Sequence, residues 1–337
     1  MVSKGKVAPK KNTKPLSDEQ VRILGQKHNL ADSTRPFPTG ERKANVEEIN
    51  AQNPKETQRL LNAACSQIRF RCNCKAWGLE NVPEAGQFIT ACTHVTQMDV
   101  FVPMTALFNL GRRPRFMAKA EMANWPILGK YFRYVGIQPV ARNSGKAKAI
   151  EEESIDILTS GRPLTIWPEG TVTREPHRWP MSLKPGLGII ALEASRRLGR
   201  QIPLHVCVTW GAANINHWLP FINRKNVVMA YDKALDYSDL LEGCETWGET
   251  PPKEAVLRLS ERVRARMEEL MSEIRGEKPP EEGYWDYRSS SYAPRVSERE
   301  YARRAIEKSK ARAEKIAQQT SQSKSSGGAN PGQRNPE

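Results

Sequence analysis

The chain has 337 residues, 38% hydrophobic and 27% charged, with a formal net charge of +14, and its length allows one large core or two unequal ones. Positive charge suits phosphate-bearing partners, but it is concentrated: residues 1–15 hold five lysines and no acid, and residues 295–315 add a net +4, so the two tails supply 9 of the 14 charges. No run reaches the roughly 18 to 20 apolar residues of a membrane span, no secretory signal follows the opening Met-Val-Ser-Lys-Gly-Lys, and the six cysteines lack a Cys-x-x-Cys pair, which argues for reduced thiols over disulfides or zinc.

Residues 1–55 are polar and weakly periodic and read as a loosely ordered basic arm with a helix over 18–26. The folded body is expected over 56–275. It begins with a helix over 57–66, after which Ile68, Phe70, Cys72 and Cys74 alternate with Arg69, Arg71, Asn73 and Lys75 in the period of a half-exposed strand. Further strands are expected over 88–92, 114–118, 137–140, 163–167, 202–209 and 226–231, with helical stretches near 98–109, 121–134, 144–160 and 186–199. Such alternation predicts an α/β sheet with helices on its faces. A helix over 253–275 then presents Val256, Leu259, Val263, Met267, Leu270 and Ile274 on one face and stops at Gly276. Residues 276–294, with Tyr284, Trp285, Tyr287 and Tyr292, read as an irregular linker, 295–320 as a charged helix and 321–337 as a disordered tail.

The segment with most chemical content is Thr93-His94-Val95-Thr96-Gln97-Met98-Asp99, directly after the apolar run 87–92. An imidazole titrates near pH 6.5 when unperturbed, and a carboxylate bonded to one ring nitrogen leaves the other to accept a proton from a hydroxyl. Five residues of ideal helix rotate by roughly 140° and would point the two side chains apart. His94 is therefore expected in the loop ahead of the helix, with Thr96-x-x-Asp99 as its capping box. Alone, the pattern also fits an Asp99 that merely complements the helix dipole beside an ordinary loop histidine. Cys92 is read as a small apolar residue closing the strand, since no Gly-x-Ser-x-Gly elbow occurs. The stretch Gly186-Leu187-Gly188-Ile189-Ile190-Ala191 loosely fits a dinucleotide fingerprint, but the preceding 178–185 is no buried strand, which excludes that reading. No nucleic-acid motif is recognised, and His28, His177, His205 and His217 have no metal-ligand spacing.

Five segments in series resemble the glycerolipid acyltransferase family, which includes 1-acylglycerol-3-phosphate acyltransferase, over 76–209. The family's N-H-x-S-x-x-D is similar to 93–99, with Thr93 for Asn and Thr96 for Ser. Its glycine-led strand ending in arginine resembles Gly136 to Arg142; its F-P-E-G-T-R-S resembles Trp167-Pro168-Glu169-Gly170-Thr171-Val172-Thr173; its later K-x-G matches Lys184-Pro185-Gly186; and its apolar strand with an early proline resembles Ile202-Pro203-Leu204-His205-Val206.

The resemblance implies a mixed, largely parallel sheet flanked by helices, with polar basic extensions at both ends. It implies transfer of an acyl group from acyl-CoA or acyl carrier protein to the hydroxyl of 1-acylglycerol 3-phosphate, giving phosphatidic acid, with His94 and Asp99 catalytic and no cofactor or metal; the alternatives are another acceptor (glycerol 3-phosphate, another lysophospholipid or a glycolipid) or a non-catalytic basic RNA- or membrane-binding relative. Arg142, Glu169, Gly170, Thr171, Arg174 and Lys184 would bind substrate. The arginine expected after Gly-Thr is Val172 here, a charge that Arg174 would have to replace, and Glu169 would orient the cations or a substrate hydroxyl. The tails, with Trp125, Ile127, Leu128, Tyr131 and Phe132, would hold the protein peripherally on an anionic membrane, at the inner face of the cell membrane on its cytoplasmic side; the alternative is that 125–132 packs in the core and the tails only aid solubility.

Overall fold

The computed structural model describes residues 15–34, 59, 63, 66, 68–113, 115–119, 137–140, 147–214 and 224–326. Eight strands, β1 Ala31–Asp32, β2 Cys72–Trp77, β3 Ile89–Cys92, β4 Arg115–Lys119, β5 Ile137–Val140, β6 Leu164–Ile166, β7 Leu204–Trp210 and β8 Lys225–Ala234, form one sheet in the order β1-β2-β8-β7-β3-β6-β4-β5. The pairs β1·β2 and β7·β8 are antiparallel and the others parallel, so the sheet is mixed and largely parallel. The helices are α1 Asp18–Lys27, α2 Phe101–Asn109, α3 Ala147–Thr159, α4 Gly186–Leu198, α5 Lys253–Arg275 and α6 Glu298–Ser326, and β9 Tyr284–Asp286 pairs with β10 Ser291–Ala293 in a separate hairpin.

Central strands covered on both faces are mostly apolar, and every residue of β7 is buried. Alternation splits its side chains between two cores. Leu204, Val206, Val208 and Trp210 join Leu187, Ile190, Val256 and Leu259 of α4 and α5, whereas Cys207 joins Val102, Met104 and Leu107 of α2. Burying each aliphatic side chain contributes about 1.5–3 kcal/mol. Helices α4 and α5 approach closely at Gly188, where a Cβ would lie 2.6 Å from Val256 O; the glycine that suggested a nucleotide fingerprint is a packing residue. No helix among the described residues is long and apolar enough to cross a membrane.

The structure corrects several expectations. The alternation from Ile68 is not one strand: residues 68–71 are helical and β2 starts at Cys72, whose thiol donates to Ile68 O one helical turn back. Phe70 is consequently exposed. The helix expected over 121–134 lies outside the described residues, as does most of 57–66. Within the supposed loose arm, residues 15–34 are docked. Ser17 and Gln20 form a reciprocal capping box at the start of α1, Asn226 Nδ2 donates to Leu16 O and Asp18 Oδ1, and Lys27 and His28 both pair with Glu273 of α5. His28 also stacks on Trp77, ring centroids 4.3 Å apart.

The supposed linker contains the β9–β10 hairpin, stabilised by Asp286, whose carboxylate accepts from Arg288 N and the Ser289 hydroxyl. Helix α6 runs on to Ser326, into the stretch expected to be disordered. Its first turn is bound to α5 through Glu298, which accepts from Arg258 and Arg262, and Ala302 is fully buried.

Candidate active site

In open α/β sheets ligands bind beyond the carboxyl ends of the strands, and here the loops leaving β3 and β6 meet at that edge. His94 lies two residues past β3. Its Nδ1 is 3.1 Å from Asp99 Oδ1; a carboxylate only accepts, so Nδ1 carries the proton and Nε2 keeps its lone pair. The other Asp99 oxygen accepts from Val95 N at 2.5 Å and Thr96 N at 2.9 Å. Asp99 is 1% exposed, and the His94 side chain 17%.

Only half of the expected capping box forms. The carboxylate reaches back to Thr96 N, but α2 begins later, at Phe101, with Val100 rather than Thr96 as its cap. The loop is braced on β7 instead: Thr93 N donates to Cys207 O, and the Thr93 hydroxyl accepts from Thr209 N at 3.3 Å. The threonine that stands in the family's asparagine position thus still ties the loop down. Cys92 is buried, and burial pushes its thiol well up, in keeping with a packing role.

Glu169, three residues past β6, turns inward. Its oxygens accept from His94 N at 3.0 Å and Met181 N at 3.1 Å. Burial, together with the charge of Asp99, pushes its carboxyl up to about 8, against the lowering effect of the two backbone donors. The 169–173 turn closes on the histidine loop again where Thr173 N donates to His94 O at 2.7 Å. Trp167 packs between His94 and Phe116, 6.0 Å from each ring.

Gly170 adopts φ +69°, and a Cβ there would lie 2.5 Å from Lys184 Nζ; only glycine lets the Lys184 side chain lie across the turn. Lys184 N is held by Pro168 O at 2.9 Å. Thr171 is half-buried on the same turn, and Arg174 is exposed while its backbone N–H donates to Met181 Sδ. Of the sequence-predicted site residues, His94, Asp99, Glu169, Gly170, Thr171 and Lys184 are thus brought onto two touching loops. Arg142 lies outside the described residues, as do Trp125, Ile127, Leu128, Tyr131 and Phe132. A cavity of about 250 Å³ is found elsewhere, lined by His177, Trp179, Arg275, Lys278 and Tyr292 among others; His94 is not part of its wall.

Sequence reasoning missed the backbone donors of Thr173 and Met181, which no side-chain pattern encodes, and the hairpin beside Lys184. The four aromatics in the supposed linker were the available signal for the hairpin.

A paired imidazole and carboxylate lie beyond a parallel strand, with a glycine turn and a lysine beside them, and the family model described as Acyltransferase matches residues 73–210. That stretch is similar to acyltransferase domains. The chain is similar to the 1-acyl-sn-glycerol-3-phosphate acyltransferase of Bacillus subtilis, 29% identical over 34% of this chain and 56% of that protein. It is also similar to the lyso-ornithine lipid O-acyltransferase of Pseudomonas aeruginosa, 38% identical over 17% of this chain and 22% of that protein. It therefore spans about half or less of the length of these relatives. Among solved structures, the PlsC 1-acyl-sn-glycerophosphate acyltransferase of Thermotoga maritima aligns with 70% of this chain and 85% of its own, at 21% identity and a TM-score of 0.41.

Proposed function

We propose that the protein transfers a fatty acyl group from a thioester, on coenzyme A or acyl carrier protein, to the free hydroxyl of 1-acylglycerol 3-phosphate, giving phosphatidic acid for phospholipid synthesis. The observation that carries this reading is His94 Nδ1 fixed on Asp99 Oδ1 at 3.1 Å, which leaves Nε2 as a base. His94 takes the hydroxyl proton as the acceptor oxygen attacks the thioester carbonyl. Asp99 stabilises the imidazolium, the C–S bond breaks, and the proton passes to the departing thiolate. The substrate supplies its own nucleophile, so neither an acyl-enzyme nor a cofactor is required.

The acceptor phosphate is assigned to the Gly170 and Thr171 backbone N–H groups with Lys184, Arg142 and Arg174. The basic tails would attach the protein to an anionic leaflet at the inner face of the cell membrane, each Lys or Arg contributing about 1 kcal/mol near the surface. A different acceptor, such as glycerol 3-phosphate, another lysophospholipid or a glycolipid, is the second reading. It is favoured by Val172 in the place of the family arginine and by the similarity to a lyso-ornithine lipid O-acyltransferase.

The test is free-thiol release from acyl-CoA and from acyl carrier protein against a panel of acceptors that includes 1-acylglycerol 3-phosphate and lyso-ornithine lipid, with products read by lipid mass spectrometry. Phosphatidic acid as the main product is the expected result. A second acceptor turned over far faster would replace the substrate assignment, and no acyl ester with any acceptor would reject the enzyme reading.

A further inference from the structure

The β9–β10 hairpin lies beyond the residues that the family model matches, yet it is joined to the loop that carries Lys184. Met181 forms a parallel bridge with Trp285, and Ser182 N donates to Trp285 O at 2.9 Å. The Ser182 hydroxyl donates to Asp286 Oδ1 and accepts from Tyr287 N, each at 3.3 Å. The same segment reaches the histidine loop, because Met181 N donates to the Glu169 carboxyl group that also holds His94 N. Two residues after Ser182 comes Lys184. Its ammonium stands over the Tyr287 ring, 5.9 Å from the centroid, while its aliphatic stem lies against Gly170. The negative face of the phenol ring attracts the cation. Tyr287 is half-buried.

We propose that Tyr287 is a positioning residue for the acceptor's anionic head group: it holds the Lys184 ammonium over the Gly170 turn, so that a phosphate bound there meets a pre-set charge. The inference rests on the acyl-transfer reading above and adds to it a selectivity element contributed from outside the matched domain. With Val172 in the arginine position, discrimination for a charged head group depends the more on Lys184 and on whatever fixes it.

The experiment uses the full chain, with thiol release measured while 1-acylglycerol 3-phosphate and acyl-CoA are varied in turn. Tyr287→Leu keeps apolar bulk and removes the aromatic face, and should raise acceptor KM about three- to fivefold with kcat and donor KM within about twofold. Tyr287→Phe and Tyr287→Trp keep the face and should match the native acceptor KM, a rescue that general loosening of the hairpin would not produce. Lys184→Gln should abolish the difference between Leu and Tyr at 287, since the ring acts through that cation. An unchanged acceptor KM in Tyr287→Leu, or equal losses in the Leu and Phe variants, would overturn the proposal and leave the acyl-transfer reading intact. A native chain inert toward every acceptor would overturn both.

Discussion

His94 at the carboxyl edge of the sheet and His205 in its interior are anchored alike, each through Nδ1: to Asp99 Oδ1 at 3.1 Å in one case and to Asp232 O at 3.0 Å in the other. Their surroundings differ. His205 is 2% exposed between Phe88 and Tyr231, and its Nε2 is buried with no hydrogen-bond partner among the described residues. Burial lowers its pKa. His94 keeps a partly open ring and faces a carboxylate, which stabilises an imidazolium better than a backbone carbonyl does. The contrast teaches that the same tautomer lock can serve two environments, which differ in exposure and in the charge of the partner.

Paired substitutions test this contrast most sharply. His94→Ala should lower acyl transfer by at least about a thousandfold with thermal stability near native. His205→Phe should leave turnover within about twofold while costing about 1 kcal/mol of stability, as the Asp232 carbonyl loses its donor. Comparable activity losses from both, measured by thiol release alongside thermal melts, would erase the distinction.

A smaller effect is expected at the turn. Gly170→Ala forces an L residue into the left-handed region, costing about 1–2 kcal/mol, and displaces Lys184. Acceptor KM should rise about tenfold while donor KM holds; a shift in donor KM instead would assign the turn to the thioester.

The smallest effect is a pH signature. The Glu169 carboxyl keeps its proton to about pH 8 in the folded protein, whereas an unfolded chain releases it near pH 4.3. Folding therefore takes up a proton between those values, and stability falls as pH rises through this window. The melting temperature of the native protein minus that of Glu169→Gln should decline from pH 5 to pH 8 and then level off. A flat difference would remove Glu169 from the account.

Much of this architecture was legible because its signals are local. β5 and α5 have the bounds that the periodicity predicted, since apolar spacing and the Gly276 stop act within one element. The site was legible where one short segment holds both partners, as with His94 and Asp99. Glu169 was found but its backbone partners were not, because a carboxyl group in a glycine turn looks solvent-facing until the two N–H groups that receive it are known. The first turn of β2 failed for a related reason. Alternating polarity cannot tell the end of a helix from the start of a strand when the boundary falls inside the pattern, as it does between Arg71 and Cys72.

One consequence concerns the order of assembly. Helix α1 is held by Asn226 of β8 and Glu273 of α5, partners more than 200 positions further along the chain. During translation those partners do not yet exist when α1 leaves the ribosome, so its docking is a late event that is complete only after α5 has been synthesised.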